Sequence, residues 1–284
     1  LYLTHPIGHC AMICLRNAEI VDSIDVLDRA FHYGDGCFST ARLFKGHFEL
    51  EDLHYARLKN SAERLSLKID LGQIESSLAY LRQNHGVLNG TLKIIISRGL
   101  GQRGYSLPDH PADLYVLYYP QHIAPFQIET IQSGTLNLAM GLQMPSLVGI
   151  KSLNRLEQVL LKQEADQHLW VEALVTDVQG GVVEGVSSNC FFKINNTWIT
   201  PELRYNGVHG VMRAFILNRM QQLNISCVQR YVDFDEIDQI ESLFFCNALS
   251  PMKAVHQFND TFLDVQPCVE LFNLLQLNQL HDYV

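Results

Sequence analysis

The sequence lacks a cluster of basic residues, a metal-binding cysteine pattern and a long apolar run, and each absence excludes a class of protein. It has 21 Lys and Arg against 30 Asp and Glu, a net charge of -9, whereas a surface for nucleic acid or anionic lipid needs clustered cations. Its seven cysteines include no CxxC pair, which favours reduced thiols over a disulfide framework or a zinc site. We therefore expect a cytoplasmic protein that binds neither nucleic acid nor membranes and holds no metal.

The opening segment, LYLTHPIGHCAMICL, is apolar, but its pattern is not that of a membrane span or a signal peptide. It is too short to cross a bilayer, and it has no basic leader. His5, His9 and Cys10 fall within it, but no residue downstream completes a ligand set. We expect a plain terminal segment there.

What is present is the composition of an ordinary globular protein, with 47% hydrophobic and 18% charged residues in a chain of 284. This length favours two domains. The segment PQHIAPF, residues 120–126, contains two prolines and shows no periodicity, so we expect the domain junction there. The predicted division is an N-terminal α+β domain at residues 1–119, a linker at 120–126 and a C-terminal domain at 127–284.

Both predicted domains mix helices and strands, which indicates the α+β class. Hydrophobic periodicity predicts helices at 53–65, 72–84 and 210–223, and strands near 91–98, 113–120, 134–142, 226–232 and 241–247. Residues 173–201 are also rich in strand-forming runs, separated by the turn signals QGG and NN. This alternation predicts a strongly curved antiparallel sheet or a barrel.

The segment GIKSLNRLEQVL, residues 149–160, predicts a helix with Leu153, Leu156, Val159 and Leu160 on one apolar face. Lys151 lies at the start of this pattern, with no obvious charge partner in the local sequence. Most lysines are solvated surface charges. From this segment alone, a solvated surface charge is the more common interpretation of Lys151.

Three other places in the sequence carry residues that could bind a charged ligand. YNGVHGVMR, residues 205–213, places glycines directly before a predicted helix, whose free N–H groups attract an anion; a simple turn is the alternative. Arg57 can add a charge to the same anion, although exposed helix arginines are commoner. Glu184, in the half-buried run VVEGVSSNCFF, is a carboxylate that needs a partner. An anion site, a lone lysine and a buried glutamate together predict pyridoxal 5'-phosphate (PLP) as the cofactor.

The segment GLGQRG, residues 99–104, matches the dinucleotide pattern GxGxxG but predicts no such site. A dinucleotide fold requires a helix to begin at the third glycine, and here Tyr105-Ser-Leu-Pro follows. We interpret it as a glycine-rich loop. Arg98 and Arg103 could bind a substrate carboxylate if this loop reaches a pocket, although an arginine on a loop is more often a solvated charge.

Seven motifs together resemble the fold-type IV PLP enzymes, and most closely the aminodeoxychorismate lyase family. They run in order from about residue 20 to 255: RAFHYGDGCFSTARLFKG, HYARLKNSAERL, SRGLGQRGYS, GIKSLNRLEQVLLKQEAD, VVEGVSSNCFF, NGVHGVMR and FFCNALSPM. The resemblance implies a small N-terminal domain and a larger C-terminal cofactor-binding domain with a barrel-like sheet. It also implies a homodimer with its active site between the domains and near the partner chain.

The resemblance also implies a role for each matching residue. Lys151 would bond to the cofactor and act as the catalytic base, Glu184 would keep the pyridine nitrogen protonated, and Thr40 would supply a proton. The other implied cofactor contacts are Arg57, Val211, Met212, Ser188 and Asn247. The implied substrate contacts are Tyr33, Arg103, Tyr105 and Asn247.

The expected reaction converts 4-amino-4-deoxychorismate to 4-aminobenzoate and pyruvate in folate biosynthesis. Thr40 favours the lyase, because D-amino-acid aminotransferases have an aliphatic residue there, and Tyr105 replaces a histidine of those transaminases. LNRLEQVL and CNAL are also typical of the lyases. Two departures leave a D-amino-acid or branched-chain-type aminotransferase as the alternative. Ser39 stands where the lyases commonly have threonine, and SSN replaces Ala-Ala-Asn. A non-catalytic PLP-binding protein is the third hypothesis.

Overall fold

A computed structural model describes residues 12–280, so His5, His9 and Cys10 lie outside the described residues. The first half of the chain builds a six-stranded antiparallel sheet in the order β2-β1-β6-β5-β3-β4. Its strands are β1 (Ile13–Arg16), β2 (Glu19–Ile20), β3 (Gly36–Phe44), β4 (His47–Phe48), β5 (Gly90–Ser97) and β6 (Asp113–Pro120). Its helices are α1 (Arg29–Tyr33), α2 (Glu51–Arg64) and α3 (Gly72–His85).

Alternation along β5 explains the packing of this first sheet. Leu92, Ile94 and Ile96 are fully buried, and the residues between them are partly exposed. Successive side chains of a strand point to opposite faces, so these three face one core. They share that core with Leu58 of α2 and Leu78 of α3, so the two helices cover this face of the sheet.

The second half builds a seven-stranded sheet, in which the order β12-β11-β10-β13-β14-β15 is extended by β7 pairing with β14. Strands β8 and β9 form a separate pair. The strands are β7 (Glu129–Ser133), β8 (Leu174–Thr176), β9 (Val182–Gly185), β10 (Asn189–Ile194), β11 (Thr197–Pro201), β12 (Cys227–Arg230), β13 (Ser242–Asn247), β14 (Ser250–Phe258) and β15 (Thr261–Phe262). The helices are α4 (Leu156–Gln167), α5 (Val211–Gln222) and α6 (Gln266–Leu274), with 3-10 turns at Pro145–Leu147 and Phe234–Gln239.

The strand order of this sheet is open, so the described strands do not close into a barrel. Helices α5 and α6 pack on it through a cluster that includes Phe215, Phe244 and Leu271. Strands β7, β10, β11 and β14 contribute to a second cluster with Phe192 and Phe245. Within residues 12–280, no helix is long and apolar enough to cross a membrane.

The strand predicted near residues 134–142 is wrong. Regular pairing ends at Ser133, and beyond it Thr135 and Met140 form only isolated bridges. The reason is a competing acceptor, because the backbone N–H groups of Asn137 and Leu138 donate to the carboxylate of Glu164. A strand cannot continue through residues whose donors are used in this way.

The apolar face predicted for the helix after Lys151 is also not a core face. Leu156 is 72% exposed and Val159 is 60% exposed. The side of α4 that this chain buries carries Leu161 and Ala165 instead. Periodicity therefore predicted the helix but not which of its sides faces the core.

Residues 121–128 join the two sheets without helix or strand. Arg42 of β3 holds this segment, since its guanidinium donates to Ala124 O and lies 3.7 Å from the centre of the Phe126 ring. The same guanidinium pairs with buried Glu49 over 3.2 Å. The proposed domain boundaries at 119 and 127 remain a prediction.

Candidate active site

A cavity of about 1010 Å³ is lined by residues from both sheets. The predicted site residues on its wall come from very distant positions in the sequence. They are Thr40, Arg57, Lys151, Glu184, Ser188, Val211 and Asn247.

The segment that carries Lys151 is held from both sides. Phe38 N of β3 donates to Lys151 O over 2.9 Å, so the lysine lies beside that strand. Before it, Gly149 forms a parallel bridge with Val208. Gly149 has φ +81, and a Cβ atom here would come within 2.5 Å of the His209 ring, so this close pairing requires glycine.

The environment of Lys151 favours its neutral form. Burial lowers the pKa of Lys151 to about 8, with further lowering by the charges of Arg57 and Arg155 and partial opposition from Glu184. Its Nζ lies 4.8 Å from the centre of the Phe38 ring. An amine with this pKa has a usable lone pair near neutral pH.

Glu184 is a buried carboxylate in β9. Its Oε2 accepts from Val208 N at 2.9 Å and from Asn189 Nδ2 at 3.2 Å. Burial raises the pKa of Glu184 to about 7, although the Val208 hydrogen bond and the Lys151 charge act in the opposite direction. A cationic hydrogen-bond donor beside it would favour the ionised form.

Helix α5 and Arg57 form the anion-binding side of the cavity. The helix begins at Val211, and its N-cap residue, Gly210, provides no side-chain hydrogen bond. Its first amides therefore remain available to a ligand. A Cβ atom at Gly210 would come within 2.0 Å of Asn189 Oδ1, so the approach of these two segments requires glycine.

Arg57 adds a charge with unused hydrogen-bonding capacity. Burial lowers its pKa to about 10, so it remains charged at neutral pH. One of its amino groups donates to Ser39 Oγ. Its Nε is buried and has no partner among the described residues, which is the state expected of a donor that awaits an anion.

Ser188 and Asn247 lie on the wall in a network built on Glu172. The Ser188 hydroxyl donates to Glu172 Oε2 over 2.7 Å, and Asn247 Nδ2 donates to Ser188 Oγ over 3.0 Å. Ser187 also donates to the Glu172 carboxylate through both its hydroxyl and its backbone N–H. Because its one hydroxyl proton is used, Ser188 could meet a ligand through that hydroxyl only as an acceptor.

Thr40 faces the cavity from β3, two residues after Phe38 and therefore on the same face of the strand. Its cross-strand neighbour on β5 is Lys93. Thr40 and Lys151 both line the cavity.

Four other predicted site residues are not on the cavity wall. Met212, in the first turn of α5, has a side chain buried in the core. Tyr105 is 84% exposed, its ring centre lies 5.4 Å from that of Tyr33, and the Tyr33 hydroxyl accepts from Gly104 N. Arg103 is exposed on the same loop. The roles predicted for these residues stay predictions.

Arg98 is buried and paired within the chain. Its Nε pairs with Asp35 over 2.8 Å, and its amino groups donate to the carbonyl oxygens of Leu65 and Ser66. It is 7% exposed, so the solvated loop charge that the sequence favoured is wrong, and the alternative role of Arg98 as a substrate ligand stays a prediction.

Sequence reasoning missed several residues that shape the cavity. Phe38, Arg155 and Asn189 lie on its wall. The carboxylate of Glu172 accepts hydrogen bonds from Ser187 and Ser188 of the wall. Glu172 was detectable as an acidic residue within the apolar run WVEALV. Phe38 reaches the cavity through the long-range pairing of β3 with the Lys151 segment, which no local pattern reveals. Arg155 is held by local hydrogen bonds to Ser152 and Ile150.

The comparisons with known proteins agree with this architecture. The model of the amino-transferase class IV family matches residues 36–258. An aminodeoxychorismate lyase of Vibrio harveyi is 33% identical over 78% of this chain and 82% of its own length. A D-alanine aminotransferase of Bacillus licheniformis is 24% identical over 78% of each chain.

Among solved structures, 4-amino-4-deoxychorismate lyase from Pseudomonas aeruginosa superposes with a TM-score of 0.82 at 29% identity. The match covers 94% of this chain and 99% of that one. This confirms the predicted fold-type IV architecture, whose enzymes use PLP. The family model and the 33% identical relative together show that the chain belongs to the amino-transferase class IV family.

Proposed function

We propose that this protein is an aminodeoxychorismate lyase, which uses PLP to convert 4-amino-4-deoxychorismate into 4-aminobenzoate and pyruvate. The observation that carries the proposal is that Thr40 and Lys151 line the same cavity. A hydroxyl and an amine of lowered pKa therefore face one cavity, which Glu184 also lines. A lyase needs two proton-handling groups of this kind, one to remove a proton and one to return it.

The residues present fit the cofactor. The unpaired Arg57 Nε and the uncapped start of α5 suit its phosphate. The pKa of Glu184, raised to about 7 by burial, indicates a carboxylate that lacks a full counter-charge, and a protonated pyridine nitrogen would supply it. Lys151 would hold the aldehyde carbon.

When bound, PLP would supply an electron-withdrawing ring that makes the substrate's C–H proton acidic. Lys151, whose pKa is lowered to about 8, would in its neutral form take that proton from C4 of the substrate. Loss of the C–O bond then releases enolpyruvate and leaves an aromatic ring. Thr40 would deliver a proton to the enolpyruvate methylene, passed on from water or a neighbouring group because a threonine hydroxyl is a weak acid.

The test is product analysis with the purified protein. We expect pyruvate and 4-aminobenzoate in equal amounts from 4-amino-4-deoxychorismate, and little keto acid from D-alanine plus 2-oxoglutarate. Turnover only in the second mixture would make this protein a transaminase on the same scaffold. Retention of PLP without turnover in either mixture would indicate a binding protein.

The Thr40→Val variant tests the proton relay. Valine has nearly the same shape and lacks the hydroxyl, so we expect pyruvate formation to fall by a factor of about 100 or more, in the range typical of a lost acid-base group. Binding of PLP should be unchanged. Unchanged lyase activity would remove Thr40 from the mechanism.

We also propose a cytoplasmic homodimer. The exposed side chains of Leu156 and Val159 on α4, and of Tyr105 and Leu107 on the 99–108 loop, are apolar surfaces suited to a second copy. In such a dimer, Arg103 and Tyr105 would cover the partner's cavity. Light scattering of the purified protein measures the oligomeric state directly.

A further inference from the structure

Behind Arg57 lies a buried polar pair that the mechanism does not use. Ser39 of β3 and His54 of α2 are almost completely inaccessible to solvent, and His54 Nδ1 lies 2.6 Å from Ser39 Oγ. The same oxygen accepts a hydrogen bond from Arg57. The three side chains therefore form a hydrogen-bonded series that ends at the cavity.

The protons available on the three side chains determine the direction of hydrogen-bond donation among them. Ser39 Oγ accepts from Arg57, so its single proton is free for His54 Nδ1. Burial and the nearby Arg57 charge lower the pKa of His54 well below 6.5, so its ring is neutral and offers a lone pair. Donation then runs from guanidinium to hydroxyl to imidazole, and His54 Nε2 remains without a partner among the described residues.

This arrangement leaves the charge of Arg57 intact. Residues 12–280 show no carboxylate paired with Arg57, in contrast to Arg42, which pairs with Glu49. A carboxylate partner would fix the guanidinium but would also weaken its attraction for an anion. A neutral hydroxyl fixes its position without neutralising it, and a preorganised donor loses less side-chain entropy when a ligand binds.

We propose that Ser39 and His54 form a neutral relay that positions Arg57 for the phosphate group of PLP. This inference rests on the proposed function, because it assumes that PLP is the ligand. His54 is then a positioning residue, which acts on the cofactor only through Ser39 and Arg57.

The test compares PLP with pyridoxal, which has the same ring and aldehyde but no phosphate. Dissociation constants are measured by absorbance titration of the full-length chain freed of cofactor. For Ser39→Ala and His54→Leu we expect PLP binding about tenfold weaker, about 1.4 kcal/mol, with pyridoxal binding unchanged. His54→Asn, which keeps an acceptor near the Nδ1 position, should retain most of the PLP affinity.

Ser77→Ala is the matched control, since Ser77 is an equally buried serine whose hydroxyl donates to Gln73 O within α3. It should change neither dissociation constant. Equal losses for PLP and pyridoxal in the Ser39 and His54 variants would overturn the relay, because they would indicate general structural damage. Unchanged PLP affinity would overturn the relay while leaving the lyase proposal standing, whereas failure of the unaltered protein to bind PLP would overturn both.

Discussion

Replacing Lys151 with Met is expected to stabilise the cofactor-free protein at neutral pH, although it removes the proposed base. Burial, with Arg57 and Arg155, lowers the pKa of Lys151 from 10.5 to about 8. A difference of this size corresponds to roughly 3 kcal/mol against the charged form. Met has a similar volume and no charge, so we expect the free energy of unfolding to rise by about 1 to 3 kcal/mol. The lower end allows for the lost attraction between Lys151 and Glu184.

The stability gained by Lys151→Met should decrease as the pH rises. Between pH 8 and 10.5 the unfolded chain keeps the proton of Lys151 and the folded chain releases it. Wild-type stability attributable to Lys151 therefore rises with pH across this window. Below pH 8 the full penalty is present, and above pH 10.5 it is gone. The Met variant lacks this titration, so its advantage should shrink toward zero as the pH rises.

Urea unfolding at a series of pH values from neutrality upward, followed by circular dichroism, measures both curves. Lys59→Met provides the control, because Lys59 is exposed on α2 and its removal should shift stability little at any pH. An advantage of the Lys151 variant that stayed constant across the window would refute the claim that this lysine is desolvated.

Three further variants test the surrounding structure. Glu184→Gln should stabilise the cofactor-free protein by about 1 to 3 kcal/mol above pH 7. The pKa of Glu184 is raised from 4.5 to about 7, so its contribution to stability falls as the pH rises through that interval; urea unfolding with no such fall would contradict this assignment. Gly210→Ala should lower the free energy of unfolding by about 1 to 3 kcal/mol, because its Cβ would meet Asn189 Oδ1 at 2.0 Å, and an unfolding midpoint equal to wild type would count against it. Glu172→Gln should lower the melting temperature, with a loss of about 1 to 3 kcal/mol, since Ser187 and Ser188 lose a charged acceptor; an unchanged melting curve would show that Gln can replace the carboxylate.

Local chemistry was sufficient for much of the prediction. The strand at 113–120 and the helix near 210–223 were predicted closely, because β-branched residues, glycine turns and apolar periodicity act over short stretches. The residue types of the candidate site were also readable, since a lone lysine and a buried glutamate are conspicuous in apolar surroundings. The segment at 134–142 failed because the distant carboxylate of Glu164 takes its backbone donors.

The sequence by itself determined most of the helices and strands and the residue types expected to hold the cofactor. Only the tertiary structure decided how those side chains meet. Pairing of Gly149 with Val208 and of Phe38 with Lys151 brings the two halves of the chain to one cavity. These contacts span more than fifty residues, and no local propensity specifies them. Burial then lowers the pKa of Lys151, because desolvation depends on everything packed around the amine and not on its neighbours in sequence.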